Sequence, residues 1–225
     1  DFKADKPQKL LTEYYLSVQY EMVNCCNSKE EVVRSVTKQV KSKQRVADHG
    51  EVFTAEREVK AMCDLVKQET ERIDSRFLEP ACGDGNFLAE ILNRKLFIVS
   101  VRYKKSVYDW ERYSLLALGS LYGVDILFDN TLACRDRLFS IWDNKYKAVC
   151  KEECNDDTKA SARFILDRNI VCGNALTLFC VDENQLDTTE PIVFSEWTFP
   201  FNDARMQRKD YSFVELLLVA DQNDE

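Results

Sequence analysis

One stretch of the chain, residues 77–88, brings a short apolar run, two glycines and two carboxylates close together. The sequence Phe-Leu-Glu-Pro-Ala-Cys-Gly-Asp-Gly-Asn-Phe-Leu predicts a short strand, a tight turn and the start of a helix. Gly83 and Gly85 permit turn dihedrals that other residues rarely adopt, and they let a ligand approach the backbone closely. The first N–H groups of the following helix point toward the same ligand. The stretch therefore predicts a ligand-binding turn at the end of a strand.

The acidic residues of this turn discriminate between classes of ligand. Glu79 precedes the turn and Asp84 lies within it. A carboxylate beside a pyrophosphate is repulsive, so this pattern disfavours a nucleotide phosphate. It favours a cationic or zwitterionic ligand that also carries hydroxyl groups. S-adenosylmethionine has these properties.

The elements around the turn alternate between strands and helices. Apolar patterns predict helices over 56–69, 85–95, 106–120 and 130–147, and strands over 76–80, 121–126, 164–171 and 191–194. Thr54 is the predicted N-cap of the first helix, and Asp129 and Asn130 are candidate caps of the last. The alternation predicts a three-layer α/β fold with a parallel sheet. Ligands bind such sheets at the carboxyl ends of the strands, where the glycine turn, Asp125 and Asn174 all fall.

Length, composition and charge limit the organisation of the chain. Its 225 residues, 45% of them hydrophobic, are enough for one large domain with an appended segment. Helical spacing over 7–26 and 28–43 predicts an N-terminal helical segment, residues 1–45, ahead of a cofactor-binding domain over residues 46–225. The net charge of −8 disfavours nucleic-acid binding by bulk electrostatics alone. A local basic face is the alternative, with Arg102, Lys104, Lys105 and Arg112 as candidates.

The cysteines predict a reducing compartment. There are nine, an odd number without framework spacing, which is typical of reduced intracellular thiols. Cys150 and Cys154 are four residues apart, but no second ligand pair lies near them in sequence, so we predict no metal site. No apolar run reaches the roughly 18 residues of a membrane span. We therefore expect a cytoplasmic protein without a membrane partner.

Four short motifs resemble, in order, those of the adenine-specific DNA methyltransferases that act on amino groups. The resemblance is to the branch related to the modification subunits of restriction–modification systems. The resemblance covers about residues 45–200 and implies a Rossmann-like S-adenosylmethionine-dependent methyltransferase fold with a truncated sheet. The matching motifs are Gly50-Glu51-Val52-Phe53-Thr54, Glu79-Pro80-Ala81-Cys82-Gly83-Asp84-Gly85, Tyr122-Gly123-Val124-Asp125-Ile126 and Gly173-Asn174-Ala175-Leu176.

The same resemblance implies a cofactor-binding role for eight residues. Asp125 would accept hydrogen bonds from the ribose hydroxyls, since one carboxylate can take both. Taken singly, Phe53 is equally well explained as a core residue, and Thr54 and Asp125 as helix caps. From the methionine end of the cofactor to its adenine, the implied residues are Phe53, Thr54, Glu79, Ala81, Gly83, Asp125, Asn174 and Ala175.

The catalytic motif of this family is absent from the sequence. The family uses Asn or Asp, two prolines and an aromatic residue to bind the target amino group and to stack on a flipped base. Where that motif should follow the strand over 191–194, the chain has Ser195-Glu196-Trp197-Thr198. Glu196 could accept from an amino group and Trp197 could stack on a base, which makes them the candidate catalytic pair. The favoured alternative is a surface position for Glu196 and a core position for Trp197.

Two functions are therefore open. The first is an S-adenosylmethionine-binding, DNA methyltransferase-like protein of restriction–modification type, adenine-specific if active, with DNA recognition supplied by a partner subunit. The second is a non-catalytic methyltransferase-fold subunit of a restriction or defence assembly. Methyl transfer to a substrate other than DNA is a third, weaker alternative.

Overall fold

A computed structural model describes residues 54–201 and 205–215, together with Arg45, and shows a mixed α/β fold. All of these residues except Arg45 belong to one compact unit, Phe53–Leu217. The predicted helices over 7–26 and 28–43 lie outside the described residues. A separate segment over residues 1–45 therefore stays a prediction.

Helices and strands alternate through the first part of this unit. None of the described helices is both long and apolar enough to cross a lipid bilayer. The helices are α1 (Glu56–Leu65), α2 (Lys67–Thr70), α3 (Asn86–Tyr103), α4 (Val107–Gly119), α5 (Phe128–Cys150) and α6 (Asp156–Asn169). The strands are β1 (Phe77–Glu79), β2 (Leu121–Asp125), β3 (Ile170–Asn174), β4 (Phe179–Val181), β5 (Asp187–Pro191), β6 (Val193–Thr198) and β7 (Gln207–Ser212).

The main sheet has five strands in the order β1-β2-β3-β4-β5. β1, β2 and β3 are parallel neighbours, whereas β4 and β5 form a hairpin that extends the β3 edge antiparallel. β6 and β7 form a separate antiparallel two-stranded sheet. The predicted α/β class is confirmed and the parallel sheet only in part. The described strands follow chain order, so no switch point of the expected kind occurs among them.

The strand predicted over 164–171 was wrong for most of its length, because α6 continues to Asn169. Asn155 caps this helix, and its Oδ1 accepts a hydrogen bond from Thr158 N at 2.7 Å. Ala162, Ile165 and Leu166 are buried at helical spacing. The apolar run that suggested a strand is therefore the buried face of a helix.

The strand predicted over 191–194 is divided between two strands, and neither is parallel to its neighbour, so the expectation of a fourth parallel strand was wrong. β5 ends at Pro191, which has no N–H to donate, and β6 begins at Val193. Between them, Ile192 donates its N–H to Leu178 O at 2.9 Å and accepts from Phe213 N at 2.8 Å. Ile192 thus links the main sheet to the β6–β7 hairpin.

The predicted caps of two helices were wrong. α1 begins after Ala55, whose carbonyl accepts from the N–H groups of the first turn, so Thr54 is not the N-cap. The helix predicted over 56–69 is interrupted at Val66, because the backbone dihedral angles of Val66 are not helical. α5 begins after Leu127 rather than at Asp129 or Asn130.

The core surrounds β2, every residue of which is buried. Helices α3, α4, α5 and α6 all contact β2 and pack on one another. Tyr122 and Val124 pack with Ile192, Phe194 and Phe213 in a second apolar cluster. Because side chains alternate along a strand, Gly123 and Asp125 face the opposite way, toward α3 and the glycine turn.

A fully buried lysine closes the amino end of β1. Lys95 Nζ donates to Ile73 O at 3.2 Å, to Ser75 O and to Ser120 Oγ at 2.6 Å. Three acceptors match the three N–H groups of an ammonium. Burial opposes that charge and lowers the pKa of Lys95 to about 7. This end of the strand is therefore sealed by side-chain hydrogen bonds.

Candidate cofactor site

The glycine turn has the backbone that its sequence predicted. Gly83 has φ 54° and Gly85 has φ 85°, both in the left-handed region. Gly85 is the N-cap of α3, and its carbonyl accepts from Ala89 N at 2.8 Å. A Cβ added at Gly85 would lie 2.6 Å from Cys134 Sγ on α5. Both dihedral angle and space therefore require glycine at this position.

Asp125 joins the turn to the end of β2. Its side chain is buried, and Oδ2 accepts a hydrogen bond from Gly83 N at 2.8 Å. Oδ1 accepts from Leu127 N at 2.8 Å and from Asn130 Nδ2 at 3.3 Å. The structure thus brings together two of the residues that sequence placed in the cofactor site. It also gives Asp125 an internal role, because its carboxylate orders both adjoining loops.

Asn174 lies at the carboxyl end of β3, beside the same edge of the sheet. Cys172 is the register partner of Asp125, so Asn174 lies two residues beyond that pair. Its Oδ1 accepts from Leu176 N at 3.0 Å, and its Nδ2 donates to Asp187 Oδ1 at 3.2 Å. Asn174 therefore contacts the β4–β5 hairpin, and its side chain makes no hydrogen bond to Gly83 or Asp125.

Negative charge surrounds the turn. Glu79 is buried in β1 opposite Gly123, while Ala81 is exposed on the turn itself. Cys82 lies beneath the turn, and a hydrogen bond with the Cys134 thiol, together with burial, raises its pKa well above the usual value. The charges of Glu79 and Asp125 raise it further. Three carboxylates, those of Glu79, Asp84 and Asp125, therefore lie on or beside the turn, and the preference for a cationic ligand stays a prediction.

Arg137 is a site residue that sequence reasoning missed. Its guanidinium binds Asp84 Oδ2 at 2.8 Å and Asn86 Oδ1 at 2.5 Å, which ties the turn to α5. Asn86 Nδ2 in turn donates to Thr54 O at 3.4 Å, so Thr54 lies beside the turn. Phe53 lies outside the described residues. A sequence signal for Arg137 was available on the predicted helix over 130–147. That helix carries Asn130, Cys134 and Arg137 at helical spacing, so all three lie on one face.

Glu196 and Trp197 lie at the other end of the strands. Glu196 pairs with Arg76, directly before β1, at 3.1 Å. The Trp197 ring is buried against Gly119, which lies two residues before β2. It also packs edge-on against the Phe164 ring, with 5.9 Å between the two ring centres. Along β2 the two ends of the sheet are about 13 Å apart. The structure therefore does not bring the candidate catalytic pair to the glycine turn, and it gives Trp197 a core position.

Two cavities among the described residues lie within the helical layer. One of about 100 Å³ is lined mainly by α5 and α6, including Arg135, Phe139 and Arg163. Another of about 350 Å³ lies between α3 and α5. Neither is lined by Gly83 or Asp125. Among the described residues no cluster of His, Cys, Asp and Glu has the arrangement of a metal site.

Comparison with known proteins gives no relative: no family model, no curated protein and no solved structure matches the chain. Function must therefore be inferred from the motifs and from the geometry of the strand ends.

Proposed function

We propose that the chain is an S-adenosylmethionine-binding, DNA methyltransferase-like protein of restriction–modification type, adenine-specific if active. The observation that carries the proposal is the contact between Gly83 N and Asp125 Oδ2, 2.8 Å long, at the carboxyl ends of two adjacent parallel strands. It joins two of the motifs on which the resemblance rests. Cofactor binding at this edge is what the fold class favours.

The charge of the site supports S-adenosylmethionine over nucleotides, which carry phosphate groups. Glu79, Asp84 and Asp125 lie on or beside the turn, with Arg137 paired to Asp84. A sulfonium and an α-amino group gain from such a field, whereas a triphosphate is repelled by it. ATP is therefore the informative negative control for any binding measurement.

The proposed contacts follow the resemblance. Phe53 and Thr54 meet the methionine portion, while Glu79, Ala81 and Gly83 line its sulfonium end. The ribose hydroxyls bind at the carboxylate of Asp125, and Asn174 with Ala175 meets the adenine. Thr54 supports this arrangement because Asn86 holds its carbonyl beside the turn.

A second candidate, the non-catalytic methyltransferase-fold subunit, is favoured by a specific observation. Glu196 and Trp197 occupy the amino ends of the strands, and Trp197 is 8% exposed. A base stacked on that ring would lie far from a methyl donor at Gly83. In this alternative the chain binds the cofactor and a partner subunit supplies the acceptor site. Either role belongs in the cytoplasm, where DNA, cofactor and reduced cysteines coexist.

Titration calorimetry with S-adenosylmethionine tests the shared part of both candidates. We expect the wild-type chain to bind S-adenosylmethionine saturably and not to bind ATP. Asp125→Asn removes a charged acceptor, so affinity should fall about 10- to 100-fold. Asp136→Asn, at an exposed position of α5, is the matched control and should bind like the wild type. The absence of both binding heat and a shift of the thermal unfolding temperature with cofactor would contradict the proposal.

Labelled methyl transfer separates the two candidates. The enzyme predicts incorporation of the methyl group into DNA adenine, with or without a co-expressed partner subunit. Loss of that transfer in Glu196→Ala would support the candidate catalytic pair. Cofactor binding without transfer in any partner complex would favour the non-catalytic subunit.

A further inference from the structure

Three phenylalanines near the connection between β6 and β7 each lie beside an arginine: Phe199 and Phe201 follow β6, and Phe164 lies on α6. The guanidinium carbon lies 5.6 Å from the ring centre in Arg208–Phe164, 5.5 Å in Arg205–Phe201 and 4.8 Å in Arg112–Phe199. Cation–π pairs occur about once per 70–80 residues in ordinary proteins. Three of them lie together here, formed by residues of α4, α6, β7 and the connection between β6 and β7, and we name this region the Arg–Phe surface.

The Arg–Phe surface is continuous along the end of β6. Arg208 is the register partner of Trp197, and Phe164 packs against the same Trp197 ring. Beyond β6, Arg112 donates to Phe201 O at 2.9 Å, which holds this segment against α4. Phe164 is 48% exposed and Phe201 is 53% exposed, so two of the rings present a face to solvent.

Five arginines lie in or against the β6–β7 hairpin of a chain whose net charge is −8, three of them contributed by other elements: Arg76, Arg112, Arg168, Arg205 and Arg208. Asp210 is shared by two cations, since its carboxylate lies 3.2 Å from Arg208 Nε and 3.6 Å from Arg168. Glu196 binds Arg76 and lies opposite Lys209 in the hairpin register. The carboxylates of the two strands are thus each paired with arginine, and Arg205 and Arg112 lie beside the rings of the adjoining segment.

We propose that the Arg–Phe surface binds single-stranded nucleic acid, with unpaired bases on the exposed phenylalanines and phosphates on the arginines. Aromatic rings beside cations are the combination that holds single strands without sequence preference, because every base has a face that can stack. An acidic peptide would satisfy the arginines but would leave the rings without a stacking partner. The surface lies at the amino ends of the strands, away from the glycine turn, so it goes beyond the proposed cofactor site and does not require cofactor.

Fluorescence anisotropy with a labelled oligothymidylate tests this inference without S-adenosylmethionine. We expect wild-type binding that weakens as salt increases. Arg205→Ala combined with Arg208→Ala should weaken binding at least about tenfold and reduce the salt slope by about 1.4, or 0.7 per lost phosphate contact. Phe201→Ala should weaken binding by about 5- to 150-fold, the range for one stacked base, without changing that slope.

The matched control is Arg57→Ala combined with Lys60→Ala, two exposed cations on α1. These substitutions should leave binding unchanged, and thermal unfolding should show that all variants are folded. Equal losses in the control would overturn the inference, as would wild-type binding that is absent or stronger for duplex DNA or polyglutamate. Calorimetry with S-adenosylmethionine on the Arg205/Arg208 variant should match the wild type, so the two proposals fail separately.

Discussion

At the carboxyl ends of β1 and β2, backbone N–H groups meet a carboxylate, while at the amino ends of the same sheet backbone carbonyls meet an ammonium. Gly83 and Leu127 donate to Asp125, whereas Ile73 and Ser75 accept from Lys95. Ile73 and Ser75 lie in the loop before β1, whereas Gly83 and Leu127 lie in the loops after β1 and β2, so these backbone groups have no partner in the strand ladder and are satisfied by side chains.

The two ends differ in what covers them. Lys95 is 0% exposed and Trp197 is 8% exposed, so the amino end is sealed by large side chains. At the carboxyl end Ala81 is exposed, and Leu176, just beyond β3, is 95% exposed. Gly83 and Asp84 of the turn are partly exposed at this end. The buried lysine at the amino ends of β1 and β2 thus serves stability, whereas we propose their open carboxyl ends as the place for the cofactor.

Lys95→Met should give the largest effect, because it removes the donor to Ser75 O and to the Ser120 hydroxyl and leaves Ile73 O with the longer bond from Ser120 Oγ, 3.4 Å. Each such group costs about 1–3 kcal/mol, so we expect a loss of about 3 kcal/mol or more in the free energy of unfolding. Urea denaturation at neutral pH measures it. Lys105→Met, at an exposed site, is the control and should change stability little. Equal stability of both variants would contradict a sealing role.

The stability difference between the wild type and Lys95→Met should also depend on pH. Lys95 has a pKa of about 7 in the folded chain and an ordinary value of 10.5. Between these values the unfolded chain holds a proton that the folded chain has released, so the contribution of Lys95 to stability rises with pH. Below pH 7 both states are protonated and the contribution is constant. A difference that falls from pH 7 to pH 10 would contradict this assignment.

Gly85→Ala should affect the open end next most strongly. It places a Cβ 2.6 Å from Cys134 Sγ and imposes φ 85° on a residue that disfavours it. We expect a loss of about 2–4 kcal/mol from overpacking and backbone strain together. Adding Cys134→Ala removes the clash and should recover only part of that loss. Full recovery would show that the left-handed backbone carries no cost.

Arg137→Ala should have the smallest effect on stability and a larger one on the ligand. Its ion pair with Asp84 is partly exposed, so the free energy of unfolding should fall by about 1 kcal/mol or less. Because Arg137 also holds Asn86, the turn should lose its order, and cofactor affinity should fall about tenfold. Arg102→Ala, exposed on α3, is the control. Unchanged affinity would show that the turn is ordered without Arg137.

Local sequence signals predicted the open end well. The left-handed dihedrals of Gly83 and Gly85 follow from residue type, and the apolar run over 121–126 predicted β2 to within one residue. Asp125 was expected to meet the turn because both follow parallel strands. These inferences need only short-range pattern and the direction of the chain.

The sealed end could not be predicted in the same way. Lys95 is a cation in the middle of a helix, and its three acceptors come from distant loops, so no local pattern reveals its burial. The burial of Trp197 depends on Gly119 and Phe164, which lie on two different helices. The antiparallel pairing of β6 with β7, and hence the direction in which Glu196 points, is likewise a long-range choice.

Hydrogen–deuterium exchange with and without S-adenosylmethionine tests the central claim most directly, because it reports which end of the sheet binds. The account predicts protection in peptides covering residues 79–88, 125–130 and 174–176, and unchanged exchange over 193–201 and 205–212. Asp125→Asn should abolish the protection. Protection confined to the β6–β7 hairpin, or none at saturating cofactor, would contradict the account.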